Sequence, residues 1–202
     1  MSTRFVAAAV AVAAGIAALG LSGRALAEQP WRWSKVPRVV AVGDVHGAYS
    51  ELTRLLEAAG IVDDSLRWSG GDSTLVSLGD LIDRGPASRK VLDLFMRLQT
   101  EAAAQGGAVH VVLGNHEVMN LIGDLRYVSK AQYAEFADDE PQSLRDAAFM
   151  RFLARQDASV TEARAREGFD ERYPPGYFAR RLAFLPSGRY GQWLLSLPAV
   201  IV

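Results

Sequence analysis

Apolar residues along this chain alternate between short β-branched runs and longer stretches where they recur every three or four positions. Val36 to Gly43 reads as a buried strand that closes on glycine. Ser50 to Ala59 follows as a helix, with Leu52, Leu55 and Leu56 at helical spacing and Gly60 as its stop. Asp63 to Asp72 is rich in turn residues, and Ser73 to Leu78 is a second strand. Ala87 to Ala104 is amphipathic, with Val91, Leu94, Phe95 and Leu98 on one side, and Gly106-Gly107 ends it. Ala108 to Leu113 makes a third strand. Strand, helix, strand, helix, strand predicts βαβ units and a parallel sheet.

Beyond Asp124 the pattern changes. Asp124 to Leu197 is helical in character, interrupted at Pro141, Pro174-Pro175 and Pro186. It reads as a helical insertion (about 124–195) whose arginines, interleaved with acids, lie on solvated faces. Pro198 to Val202 is apolar and β-branched, like the opening of a fourth buried strand.

The chain has 202 residues, half of them apolar, enough for one packed α/β domain. A formal charge of −1 gives no basic excess, so nucleic acid is not an expected partner. Cysteine is absent, which excludes disulfides, thiolate metal sites and a cysteine nucleophile. The first segment predicts an address. Arg4 precedes an apolar run from Phe5 to Leu21, and Ala25-Leu26-Ala27 supplies a cleavage site before Glu28. Residues 1–27 therefore read as a signal peptide, which predicts export, to the periplasm in a bacterial source. The run is short and alanine-rich against the roughly 20 residues of a membrane span, so no lasting membrane association is expected after cleavage. Trp31 and Trp33 then belong to a leader of the domain that begins at Glu28.

Each of the first three strands ends in a polar loop flanked by glycine: Gly43-Asp44-Val45-His46-Gly47, Gly79-Asp80-Leu81-Ile82-Asp83-Arg84-Gly85-Pro86, and Gly114-Asn115-His116-Glu117. In open α/β sheets ligands sit beyond the carboxyl ends of the strands, so the three loops are expected at one rim. Asp44 and His46 are two apart and can project together, offering a carboxylate oxygen and an imidazole nitrogen. Asp80 has two oxygens and can bridge two cations, and Asn115 adds a neutral oxygen. Alone, an Asp-x-His or an Asn in a glycine turn is ordinary turn chemistry; three such loops in succession point to a metal cluster. His110, inside the third strand, reads as a packed or hydrogen-bonded histidine rather than a ligand. Glu117 reads as structural, tying down its loop.

GDVHG, GDLIDRG and GNHE resemble the three signature blocks of the calcineurin-like metallophosphoesterases of the PPP type. The flanks GDLIDRGPASRKVLDLFMRLQ and HVVLGNHEVMNLIGDLRYV are similar to the bacterial Shewanella-like phosphatase branch, and the likeness runs from about Val39 to Val202. The resemblance implies an α/β sandwich of mixed sheets covered by helices, incomplete here, with the insertion as a cap beside the metal edge. It implies that Asp44 and His46 bind a first metal, Asp80 bridges, and Asn115 binds a second. It implies further that Arg84 contacts phosphate oxygens, as Asn115 can through its amide, and that His116 protonates the leaving oxygen, oriented by Asp83. The cofactors would be two divalent ions, of manganese, iron or zinc. Such a pair, about 3.5–4 Å apart, activates a water for in-line attack on phosphorus. The substrate would be a phosphorylated small molecule or a phosphoprotein. The same fold also supports hydrolysis of dinucleoside polyphosphates or cyclic nucleotides.

The family pattern asks for two histidines and a second arginine after GNHE. The histidines of this chain are His46, His110 and His116, and none of the later arginines matches by motif. The expectation is a truncated domain whose missing ligands follow Val202, and hence a 202-residue product that is poorly folded or nearly inactive alone. A non-catalytic remnant is the third reading.

Overall fold

The computed structural model describes Trp33 and residues 36–202; residues 1–27, where a signal peptide is expected, and Trp31 lie outside these residues. Three strands, β1 (Val39–Val42), β2 (Thr74–Ser77) and β3 (Ala108–Val111), form a parallel sheet in the order β1-β2-β3. Val40, Leu75 and Val109 stand in register across it, as do Val42, Ser77 and Val111. Two helices cross between them, α1 (Tyr49–Ala58) and α2 (Ser88–Ala104), both within a residue of the expected bounds.

Both helices cover the same face of the sheet. Leu52 and Leu56 of α1 and Val91, Leu94, Phe95 and Leu98 of α2 join Val42, Leu75, Val109 and Val111 in one core. Val39 and Ala41, on the opposite face of β1, are exposed. This corrects the reading of β1 as a fully buried strand: its β-branched run is covered on one side only among the described residues. Leu55 is likewise exposed, while Leu52 and Leu56 carry the contact. Between α1 and β2, Asp63 closes the expected turns by accepting from the Ser65 and Arg67 amides, and Trp68 is buried.

The third loop is not a loop throughout. Helix α3 (Asn115–Ile122) begins at Asn115, immediately after Gly114. Its start is set by Glu117, whose carboxylate reaches back to the Gly114 amide at 2.9 Å.

The insertion is helical as expected: α4 (Lys130–Ala134), α5 (Gln142–Leu153), α6 (Glu162–Arg172), α7 (Tyr177–Ala183) and α8 (Arg189–Leu195). Pro141 caps α5, Pro174-Pro175 separates α6 from α7, and Pro186 separates α7 from α8. Phe149, Ala165 and Phe169 form a second core with Phe152, Tyr173 and Phe178 packed on it. Arg145 ties this unit together through Glu140, Asp170 and the Tyr173 carbonyl.

Pro198 to Val202 forms no strand. The Leu113 amide donates to the Pro198 carbonyl at 3.0 Å, but Val200 and Val202 are exposed. Without a ladder of hydrogen bonds, β-branched composition does not make this segment the expected buried strand. Trp33 packs rather than hangs free: its amide donates to the Val202 carbonyl and its ring lies 3.9 Å from the His110 ring. No helix among the described residues is long and apolar enough to cross a membrane.

Candidate active site

The three loops meet at the carboxyl end of the sheet and are laced through their backbones. The His46 and Gly47 amides donate to the Asp80 and Leu81 carbonyls at 2.8 and 2.9 Å, and the Gly85 amide returns to the His46 carbonyl at 2.9 Å. A Cβ on Gly85 would come 2.3 Å from that carbonyl oxygen, so only glycine permits the approach. Gly114 is equally constrained, with the Asp80 amide nitrogen 2.3 Å from where its Cβ would stand. Glu117 joins the second loop to the third. Its two oxygens accept from the Asp80, Leu81 and Gly114 amides, each at 2.9 Å. Burial holds the Glu117 carboxyl above the usual carboxylate range, and the three amides offset that rise only in part.

These contacts hold unusual backbone. Asp44, His46, Asp80, Asp83 and Arg84 all have positive φ, at 50°, 46°, 51°, 71° and 62°. Non-glycine residues enter this region at a cost of about 1–3 kcal/mol each and persist where the surroundings over-determine them. Leu66 is the other non-glycine example among the described residues, so the strain concentrates in the first two loops.

The side chains of His46, Asp80 and His116 converge, with potential ligand atoms all within 4.8 Å of one another. The Nδ1 of His46 lies 3.0 Å from the Ile82 carbonyl, which can only accept. That places the proton on Nδ1 and leaves the Nε2 lone pair free for a ligand. Asp80 Oδ1 accepts from the His116 amide at 3.0 Å, and its other oxygen has no such partner among the described residues. Asp44 and Asn115 are exposed; the Asp44 carboxylate stands outside the group of three, and the Asn115 amide lies 4.0 Å from Met119 Sδ of its own helix.

His116 occupies a second arrangement as well. Its Nδ1 meets the Asp83 carboxylate at 2.9 Å, and both side chains are buried. The Nε2 therefore faces the rim, where Arg84 Nη2 lies 3.4 Å away. The Arg84 guanidinium and the His116 ring both flank Tyr127, at 5.9 and 5.1 Å from its ring centre. The Tyr127 carbonyl accepts from the Arg84 amide at 3.0 Å. His110 sits apart in β3, beside Trp33.

Two contributors escape sequence reasoning. Asn120 donates through Nδ2 to both Asp83 oxygens, at 3.1 and 2.9 Å, and to the His116 carbonyl. Reading GNHE as a helix start would have found it, since residues four apart share a helix face. Arg180 of α7 is fully buried and points Nη2 at Asp83 Oδ1, 3.5 Å away. This corrects the assignment of the insertion's arginines to solvated faces. Its one local signal is Phe184, four residues on, which lies 4.5 Å from the guanidinium.

The donor set fits divalent cations: imidazole nitrogen with carboxylate oxygen, beside a guanidinium able to meet phosphoryl oxygens in a fork. Residues 37–190 match the family model of the calcineurin-like phosphoesterases. Over 105 residues the chain is 42% identical to Shewanella-like protein phosphatase 2 of Arabidopsis thaliana, covering 52% of this chain and 27% of that protein. It is 39% identical over 77 residues to the symmetrical bis(5'-nucleosyl)-tetraphosphatase of Cronobacter sakazakii, covering 38% and 22%. A solved cold-active protein-tyrosine phosphatase of a psychrophilic Shewanella superposes with a TM-score of 0.56 at 29% identity, covering 84% of this chain and 40% of that one. The chain thus spans well under half the length of each of these relatives.

Proposed function

Because the chain belongs to the calcineurin-like phosphoesterase family, we propose that its three-loop rim serves metal-dependent hydrolysis of phosphate esters, with phosphomonoesters or phosphoproteins as substrates. The observation that carries the proposal is the convergence of His46, Asp80 and His116 beside Arg84. Asp44, His46, Asp80 and Asn115 would hold two divalent ions of manganese, iron or zinc. Such ions, when bound, supply an acidified water and a charge clamp for the phosphoryl oxygens.

The chain's own residues do the rest. Arg84 meets oxygens of the ester as they gain charge. His116 can carry a proton on Nε2 toward the leaving oxygen, because Asp83 holds its Nδ1–H. Glu117 keeps the loops in register so that these groups share one rim.

Dinucleoside polyphosphates make a second substrate class, supported by the likeness to a tetraphosphatase. The test combines two measurements on the purified chain: calorimetric binding of Mn2+ or Zn2+, and hydrolysis of p-nitrophenyl phosphate, phosphopeptides and diadenosine tetraphosphate. Saturable binding is expected, and Asp80→Asn and His46→Ala should abolish both it and any hydrolysis, however slow. Hydrolysis that persists undiminished in Asp80→Asn would contradict the proposal. The rank order of the three substrates chooses between the two classes.

A further inference from the structure

Arg180 is the buried charge that nothing above employs. Its side chain is 1% exposed, and its Nε and Nη1 have no acceptor among the described residues. Phe184 and Tyr133 enclose the guanidinium at 4.5 and 5.8 Å. A buried arginine with idle donors is a poor way to gain stability, since a methionine would fill the same space without desolvating a charge. Burial pulls the Arg180 guanidinium down to about 10, with Asp83 acting in the opposite sense, so it stays protonated at neutral pH.

Among the described residues, the carboxylate that Arg180 meets is Asp83. Asp83 is fully buried, carries left-handed backbone at φ 71°, and divides its oxygens between partners. Oδ2 takes His116 Nδ1 at 2.9 Å, whereas Oδ1 faces Arg180 Nη2 at 3.5 Å. Asn120 bridges the two oxygens from the side. The carboxylate could rotate and offer either oxygen to the imidazole. A fixed positive charge on the Oδ1 side breaks that symmetry.

We propose that Arg180 is a positioning residue, by which the helical insertion, 97 residues away along the chain, fixes the Asp83 carboxylate and so aims His116 Nε2 at the rim. The proposal rests on the reading of His116 as the residue that serves the leaving group. It gives the insertion a part in the chemistry beyond shaping access: α7 completes a line from Arg180 through Asp83 to His116.

The test uses the whole chain, labelled with 15N-histidine. Three histidines make the imidazole spectrum simple to assign. In the parent protein the Nδ1–H of His116 should be slow to exchange and shifted far downfield. Arg180→Met and Arg180→Gln should each remove or broaden that proton while leaving the His46 Nδ1–H, bonded to the Ile82 carbonyl, in place. Arg180→Lys, which keeps the charge, should retain it. The glutamine variant decides the matter if the methionine variant does not fold. An unchanged His116 proton in both neutral variants would overturn the proposal, as would its loss together with the His46 proton, which would mean general disruption.

Turnover gives the second arm. Arg180→Gln should lower kcat about tenfold or more for phenyl phosphate, a poor leaving group, and less for p-nitrophenyl phosphate, with KM little changed. Equal losses for both esters would indicate a merely structural role and would count against Arg180. If no ester is hydrolysed and no metal binds, the phosphoesterase reading fails by itself, while the spectrum still decides what Arg180 does.

Discussion

Glu117 carries more of the rim than its place in a signature block suggests. One carboxylate satisfies three backbone amides from two loops. Glu117→Gln replaces one accepting oxygen by a donor and leaves at least one buried N–H facing another. The expected loss is about 1–3 kcal/mol, read as a lower urea midpoint at unchanged slope. His110 yields a pH prediction. Burial holds its imidazole below the ordinary 6.5. The unfolded chain then takes up a proton before the folded chain does, so stability falls as pH drops below about 6.5. His110→Gln should flatten the denaturation midpoint between pH 7 and 5; an equally steep fall in the variant would assign it to other groups. At this scale the sequence was informative where chemistry is local. His46, Asp80 and His116, one from each of the three glycine-flanked loops, bring their side chains together, whereas the Asp44 carboxylate stands outside that group. Arg180 was hidden because its burial depends on a partner 97 residues away, and no spacing rule encodes that.

Among the elements, the three strands and the two crossing helices followed directly from periodicity. Helix α3 did not, because its first turn looks like a glycine loop until Glu117 is recognised as its own N-terminal cap. Burial of β1 is not legible in its residues for a related reason: a β-branched run reports strand propensity, while the covering of its two faces depends on where α1 and α2 pack. The insertion offers a cleaner experiment. Its core of Phe149, Ala165 and Phe169 is separate from the core beneath the sheet. Phe169→Ala should cost about 3–5 kcal/mol within that unit and raise amide exchange in α5 and α6, leaving β1–β3 protected. Uniform loss of protection across the sheet would show that the two cores unfold as one.

For the molecule as a whole, metal binding and folding should be linked, because the strained loops gain their reward only when the rim is assembled. Divalent metal at about a hundred times its dissociation constant stabilises a folded chain by about 2.7 kcal/mol. Thermal unfolding should therefore rise by several degrees with Mn2+ or Zn2+ and fall back with a chelator. Asp80→Asn should abolish that rise, whereas a rise kept in full would place the binding site elsewhere. The most direct measurement is an anomalous-scattering map from crystals grown with Mn2+. The expected map has a peak within about 2.0–2.3 Å of both His46 Nε2 and an Asp80 oxygen, with Asp44 and Asn115 turned toward the metal rim. A fully loaded crystal with no peak between His46 and Asp80, or with its strongest peak away from the three loops, would contradict the account.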